Sequence, residues 1–435
     1  MRIAPFTVDI TPPLKQPLAY GPNTKVDSPV YLRGLVLEDG PVRAVLCSAD
    51  LIGLYGPAYP QWRKALAAAA KVPERNFLIH SVHQHDSMQP LAPELVKQVS
   101  HYGDSVANEA RGWEELIARG VAGLRDAVRP GKKGAWLTVE GLGTAERRLS
   151  QLASNRRMIG KDGKLWTTRW SQNVLPELWR EPVGLIDPIL RSIGFYGPRG
   201  KLAATLHFYA THPQVSHGRF MAGADVPGAA LDALYKQQRG AGTHAYFTGC
   251  AGDITFGKYT LGADKVKNKT VLGARLGAGL VANTQALTSV DAGKLSLRHL
   301  TIPVALNPLM GPARHKPELA KATSRYGAGW QALFLHIAQN WKRYGHATIA
   351  RLSLGPKVHV LSLPAENAVA YQLYAQSLIP EHFLACAGYG DGTLHYICTD
   401  EMFPQGGYEP GVSFAKPGFE KPYKAAIAQV LSDLQ

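Results

Sequence analysis

VRAVLCSAD (42–50) is followed by RKALAAAAK (63–71) and then by NFLIHSVHQHD (76–86). The first stretch is a short apolar run ending in a carboxylate, the pattern of a strand buried on both faces. The second is dense in strong helix formers and predicts a helix over 58–71. The third resumes strand character. Strand, helix and strand in succession form a βαβ unit, expected to be parallel and right-handed.

Outward from this unit the alternation continues. Residues 1–50 read as β-rich. Trp113, Leu116, Ile117, Val121, Leu124 and Val128 recur at three- and four-residue spacing, which predicts an amphipathic helix over 106–128, stopped by Pro130. The stretch 145–190 is broken by glycine and proline, and irregular chain of this length is uncommon unless it covers a site. Further strands are expected at 202–212, 243–249, 295–305, 347–353 and 357–363. Helices are expected through 239 from an N-cap at Asp225, with Pro227 in the first turn, then over 268–288, 328–343, from about 367, and over 421–434. The fold class is α/β, a mixed β-sheet core flanked by helices. With no internal repeat and no low-complexity linker apparent, residues 1–435 read as a single catalytic unit.

Composition narrows the function. A chain of 435 residues that is 45% hydrophobic and 19% charged can bury a large core, which excludes disorder, collagen and coiled coil. Forty-eight basic against 33 acidic residues give +15, which favours anionic partners. The cations are scattered rather than striped, so nucleic acid is not expected, whereas peripheral contact with an anionic membrane stays open. No run of eighteen apolar residues occurs, so no membrane-crossing helix is expected. The start, MRIAPFTVDITPP, lacks an apolar leader; either the protein stays inside or a leader was removed before this numbering begins. Cys47, Cys250, Cys386 and Cys398 lack zinc-knuckle or thioredoxin spacing, and Cys386 and Cys398 pair only if their strands return on each other.

Chemistry concentrates in four places. His80, His83, His85 and Asp86 end the strand predicted over 76–86; alternation there would aim His83 and His85 into one pocket as metal ligands, against a plainer role as polar loop residues. HQHD begins the metallo-β-lactamase signature, but Ser87 and Met88 do not continue it. His212 closes FYATH (208–212) beside a glycine-containing loop, with His207 and His217 nearby. TGCAGDITFG (248–257) predicts a tight turn of exposed N–H groups, with Thr255 a candidate hydroxyl or simply a turn threonine. Glu366 and Tyr408 follow an apolar strand and a Gly-Gly pair, where helix capping and packing are the rival roles.

Nine segments in order carry a resemblance: VDITPP (8–13), CSADLIGL (47–54), HSVHQHD (80–86), SNRRM (154–158), FYATHP (208–213), GADVPG (223–228), CAGDI (250–254), LPAE (363–366) and QGGYE (405–409). The chain resembles the catalytic domain of the neutral/alkaline (non-lysosomal) ceramidase family, in a shorter bacterial-type form. The resemblance implies one zinc ion held by His83, His212, Glu366 and Tyr408. It places His85 beside the reacting amide without making it a principal ligand, and it makes Arg156 the family arginine, with Arg157 its close competitor. Thr255 stands where the family has its proposed nucleophilic serine, and HSVHQHDSM replaces the family's histidine motif. After Tyr408 no room is expected for the family's C-terminal immunoglobulin-like domain. These departures touch ceramide as substrate more than the metal ligands. The implied activity is zinc-dependent hydrolysis of an N-acyl amide bond in a small-molecule or lipid-like substrate. A metal-dependent esterase and a non-catalytic metal-containing binding protein are the alternatives.

Overall fold

A computed structural model describes residues 1–89, 91–95, 99, 104–132, 135–172, 175–238, 240 and 242–434. The first sheet contains β1 (Arg2–Asp9), β2 (Tyr31–Asp39) and β3 (Val42–Ala49), an antiparallel meander. Helix α1 (Ala58–Ala70) then crosses over, and β4 (Phe77–Ser81) pairs parallel with β3. The expected strand–helix–strand unit is therefore present and parallel. Lys71, in the left-handed region, caps α1 by donating its N–H to Ala67 and Ala68 carbonyls. Helix α2 (Asp104–Ala127) matches the predicted amphipathic helix and packs beside α1.

The second sheet repeats this plan. Strands β5 (Gly141–Arg148), β6 (Ile189–Gly197) and β7 (Lys201–Tyr209) run antiparallel. Helix α3 (Asp225–Gln237) leads to β8 (Thr243–Thr248), parallel to β7, and α4 (Lys265–Gln285) covers α3. Residue 239, the predicted end of α3, lies outside the described residues. The third sheet is built the same way. Strand β9 (Ser296–Pro303) is followed by α5 (Arg325–Gln339), then by β10 (His346–Ser353) and β11 (Val358–Ser362). Helix α6 (Val369–Leu378) crosses to β12 (Phe383–Ala387), parallel to β11, and α7 (Glu420–Leu431) packs on α6. A βββαβ topology thus occurs three times in a chain whose sequence reads as having no repeat. The architecture is mixed α/β with helices flanking the sheets, as the sequence predicts.

Period-two alternation explains the layering. In β3, Ala44 and Leu46 join a buried cluster that also takes Ile193, Phe195, Leu206 and Phe208 from the second sheet and Leu352 and Val360 from the third. Val45 and Cys47 of the same strand face Trp62 and Leu66 of α1 and Trp113 of α2. Leu361 of β11 likewise faces Tyr371 of α6 with Tyr423 and Ile427 of α7. Each sheet therefore gives one face to a shared centre and the other to its own helices, which is why its strands read as continuous apolar runs. Among the described residues no helix is long and apolar enough to cross a membrane.

Three expectations need correction. The strand predicted over 76–86 stops at Ser81, because His83 takes φ 73, a left-handed value that ends extended chain. Asp225 is the first residue of α3 rather than its cap, and its carboxylate accepts the Ser216 N–H at 2.9 Å. Strands β5 and the start of β6 lie in or beside the stretch read as irregular; GLGTAERR carries too many glycines and charges to signal a strand. All four cysteines are free and buried, so Cys386 and Cys398 form no disulfide. Burial pushes the Cys386 thiol up to about 12, away from thiolate chemistry.

Candidate metal centre

The C-terminal ends of β4, β8 and β12 are tied to one another. Ser81 N–H donates to Tyr389 O at 2.9 Å, Gly388 N–H to Thr248 O at 2.9 Å, and the Thr248 hydroxyl to Val82 O at 2.7 Å. Each repeat thus contributes to one junction, and the candidate residues leave it on short loops. His83 follows β4 and His212 follows β7. Glu366 follows β11. Among the described residues, four of the ten non-glycine residues with positive φ ring this junction: His83, Ala365, Tyr389 and His395. Strained backbone of this kind persists where the surrounding structure fixes it, and it gathers at functional sites. Gly252 is glycine for a local reason. A Cβ there would come within 2.7 Å of the Glu366 carbonyl oxygen, so only glycine lets the CAGDI turn lie against the Glu366 segment.

His83 Nε2 lies 3.1 Å from Glu366 Oε2, and His212 Nε2 lies 3.9 Å from the same oxygen. The ring centroids of His83 and His212 are 4.5 Å apart. His83 Nδ1 contacts Ile52 O, and His212 Nδ1 is 3.2 Å from Ala251 O. A proton on Nδ1 of each ring, donated to that backbone carbonyl, would leave each Nε2 lone pair toward the shared centre, the tautomer a metal-binding histidine requires. Glu366 Oε2 is buried with no hydrogen-bond partner. A buried carboxylate oxygen without a donor, between two imidazole nitrogens, fits a cation better than it fits an empty core.

His85 belongs to the same cluster. Its Nε2 is 3.3 Å from His212 Nε2, and the ligand atoms of His83, His85 and His212 lie within 4.8 Å of one another. The sequence places it beside the centre; the structure brings it to ligand distance. Burial depresses both His85 and His212 well below the ordinary imidazole value, and the neighbouring His83 and Arg156 reinforce the effect. Both rings are therefore neutral at pH 7, with lone pairs available.

The other predicted residues divide. Arg156 is fully buried, donates to Glu409 Oε1 at 2.7 Å and to the Tyr396 hydroxyl at 3.0 Å, and lines the cavity with His83 and Glu366. Arg157 turns away to Glu409 Oε2 at 2.5 Å and Gly406 O at 2.8 Å, so Arg156 is the arginine that reaches the cavity. Tyr408 lines the same cavity, its ring 5.7 Å from that of Tyr396. It is 41% exposed, against 3% or less for His83, His212 and Glu366. Thr255 is fully buried behind Ser171, the two hydroxyls 2.7 Å apart, and Ser171 is the one of the pair that lines the cavity. His80 is spent in the core between Gly388 O at 2.8 Å and the Ser362 hydroxyl at 2.9 Å. Asp86 stands outside the cluster.

Sequence reasoning missed several participants. His395 Nε2 is 3.7 Å from Glu366 Oε1, Tyr389 stacks on His83 with centroids 4.5 Å apart, and Glu409 neutralises both arginines. The irregular stretch 145–190 does cover the site, through Arg156, Trp170, Ser171 and Gln172. Only Glu409 carried a signal, as the residue after Tyr408 in the QGGYE segment.

Neither a protein-family model nor a curated protein matches the chain. Among solved structures it is similar to the neutral ceramidase from Pseudomonas aeruginosa, with a TM-score of 0.68 at 17% identity over 99% of this chain and 74% of that one. It is also similar to a ceramidase complexed with C2, with a TM-score of 0.68 at 16% identity over 99% of this chain and 75% of that one. Likeness at that identity speaks to architecture rather than activity. The chain carries the mixed α/β fold seen in neutral ceramidase.

Proposed function

We propose that the protein is a zinc-dependent hydrolase of an N-acyl amide bond. The observation that carries this reading is the convergence of His83 and His212 on Glu366 Oε2, a buried oxygen without a hydrogen-bond donor. One zinc ion per chain would be held by His83, His212, Glu366 and Tyr408, the first three rigid and dry, the last more exposed. When bound, the ion supplies Lewis acidity toward the scissile carbonyl and the attacking water.

The chain's own residues account for the remaining steps. Water oxygen bonds to the acyl carbon, the C–N bond breaks, and a proton passes to the leaving nitrogen, giving a carboxylic acid and an amine. His85 Nε2 accepts the water proton and returns it to that nitrogen; a neutral imidazole can do both. Arg156 faces the developing oxyanion with its charge fixed in place by Glu409. Thr255 holds the Ser171 hydroxyl toward the cavity, a positioning role.

The test is zinc content and amide turnover measured together. Purified protein is expected to hold one zinc, to lose turnover on chelation, and to regain it with added zinc. His83→Ala or His212→Ala removes metal and activity together. Full zinc occupancy in purified His83→Ala protein would sink the ligand assignment, and faster turnover of matched esters than of amides would reassign the reaction.

A further inference from the structure

We infer that the cavity is built for a compact, hydroxylated N-acyl compound, a short-chain N-acyl derivative of a polyhydroxylated amine such as an N-acetylated amino sugar, rather than for an amide with two long alkyl chains. The inference rests on the hydrolase reading for turnover, but its ligand class is separately measurable by binding.

The cavity encloses about 470 Å³, within the usual range of small-molecule sites. Its broad walls are aromatic: Tyr20, Tyr55, Trp170, Tyr396 and Tyr408. The rest of the lining is histidine, glutamine, serine, arginine and glutamate. Among the described residues, no alanine, valine, leucine, isoleucine, methionine or phenylalanine lines it. Every lining side chain therefore carries a nitrogen or an oxygen. An alkyl chain would gain from the aromatic faces alone, and at the rim it would strip water from polar groups without replacing their hydrogen bonds. A ring that is apolar on its faces and polar at its rim suits such walls. Its C–H faces pack on the aromatic rings while its hydroxyls meet the tyrosine and amide groups.

The polar demand is specific. Gln214 is 7% exposed, lines the cavity, and has its side-chain oxygen buried without a partner. Gln172, beside it, already donates its amide to His217 O at 2.6 Å, leaving an acceptor oxygen for a ligand. The Gln172 oxygen is an acceptor and the Gln214 amide stands beside it, so this wall suits hydroxyls, which both donate and accept. Among the described residues Glu366 is the only carboxylate in the lining, and Glu409 answers the Arg156 charge, so apart from the metal site the lining presents polar groups without a net charge. Sites built to hydrogen-bond a hydroxyl reject analogues that lack it far more strongly than apolar sites reject a missing methylene.

The experiment compares N-acetylglucosamine with N-palmitoylsphingosine in mixed micelles, using the zinc-loaded full chain, and reads both kcat/KM and calorimetric binding. N-acetylglucosamine is expected to be preferred at least about 100-fold in kcat/KM. Gln214→Leu is expected to lose about 100-fold for it with zinc content and Tm unchanged, and Gln214→Asn, which keeps the amide, to recover most of that loss. Preference for N-palmitoylsphingosine, or an unchanged Gln214→Leu protein, overturns the ligand class while leaving the hydrolase reading standing. Gln214-dependent binding of N-acetylglucosamine without hydrolysis of any amide supports the ligand class and overturns the hydrolase reading. Binding of neither compound overturns the ligand class.

Discussion

His85 is the residue on which two roles meet. As an acid–base group it is dispensable for metal binding; as a third imidazole ligand it is not. Its contacts with His217 Nδ1 at 3.2 Å and with the Tyr20 ring, 5.3 Å between centroids, hold it in place. His85→Ala is expected to retain zinc while losing about 100- to 10,000-fold in kcat, the span of general acid–base catalysis. Metal analysis of that variant decides, since loss of zinc would make His85 a ligand. Thr255 poses a similar choice. Buried behind Ser171, it has no imidazole among its hydrogen-bond partners to activate it as a nucleophile. Thr255→Val is expected to keep its zinc and to stay within about tenfold of the parent in turnover, whereas removal of an activated nucleophile costs several orders of magnitude. Complete loss of turnover with intact metal would reopen covalent catalysis.

At the scale of elements, the loop after β4 and the chain entering α3 are joined by a backbone hydrogen bond that brings two carboxylates near each other. Gly223 N–H donates to Asp86 O at 3.0 Å, and the Asp86 and Asp225 side chains repel each other nearby. Burial, then the Asp225 charge, pushes Asp86 up to about 8, and burial pushes Asp225 up to about 6. Both groups bind protons more tightly folded than unfolded. Their contribution to stability is therefore fully present below the ordinary carboxylate value and is lost as pH rises through these raised values. From about pH 4 up to about 8 for Asp86, and up to about 6 for Asp225, each such proton costs about 1.4 kcal/mol per pH unit. Asp86→Asn, neutral throughout, is expected to flatten the decline between about pH 5 and 8 in denaturant midpoints. An unchanged pH slope in that variant would remove Asp86 as its source.

For the whole molecule, the shared centre matters more than the count of sheets. Leu46, Phe195, Phe208 and Val360 come from three repeats and pack in one cluster, so no repeat can bury its inner face alone. We expect one cooperative thermal transition, with calorimetric and van't Hoff enthalpies agreeing when unfolding is reversible. Phe195→Ala, which opens that cluster, is expected to cost about 3–5 kcal/mol and to lower the transition seen by near-UV and far-UV signals together. Two resolved transitions would show that the repeats fold as separate units. The candidate metal centre has the same dependence, because His83, His212 and Glu366 each belong to a different repeat.

Local chemistry in the sequence already contained the alternation of elements, the buried character of 42–50, and the residue types at the site. Apolar period and helix-forming composition act over a few residues, so VRAVLCSAD and RKALAAAAK could be read without their neighbours. The threefold plan could not. It asks only that apolar positions alternate, a demand that unrelated sequences such as VRAVLCSA and KLAATLHFY meet equally well. The sequence reads His83 and His85 as strand neighbours, but the strand ends at Ser81 and His83 is left-handed, so strand alternation is not what brings the two rings to the cavity. Which arginine reaches the cavity, which hydroxyl of the Thr255–Ser171 pair does, and whether Glu366 Oε2 has a donor all depend on contacts between segments about 50 to 280 residues apart. Those contacts are set by how three sheets pack on one centre, and packing is a property of the assembled chain.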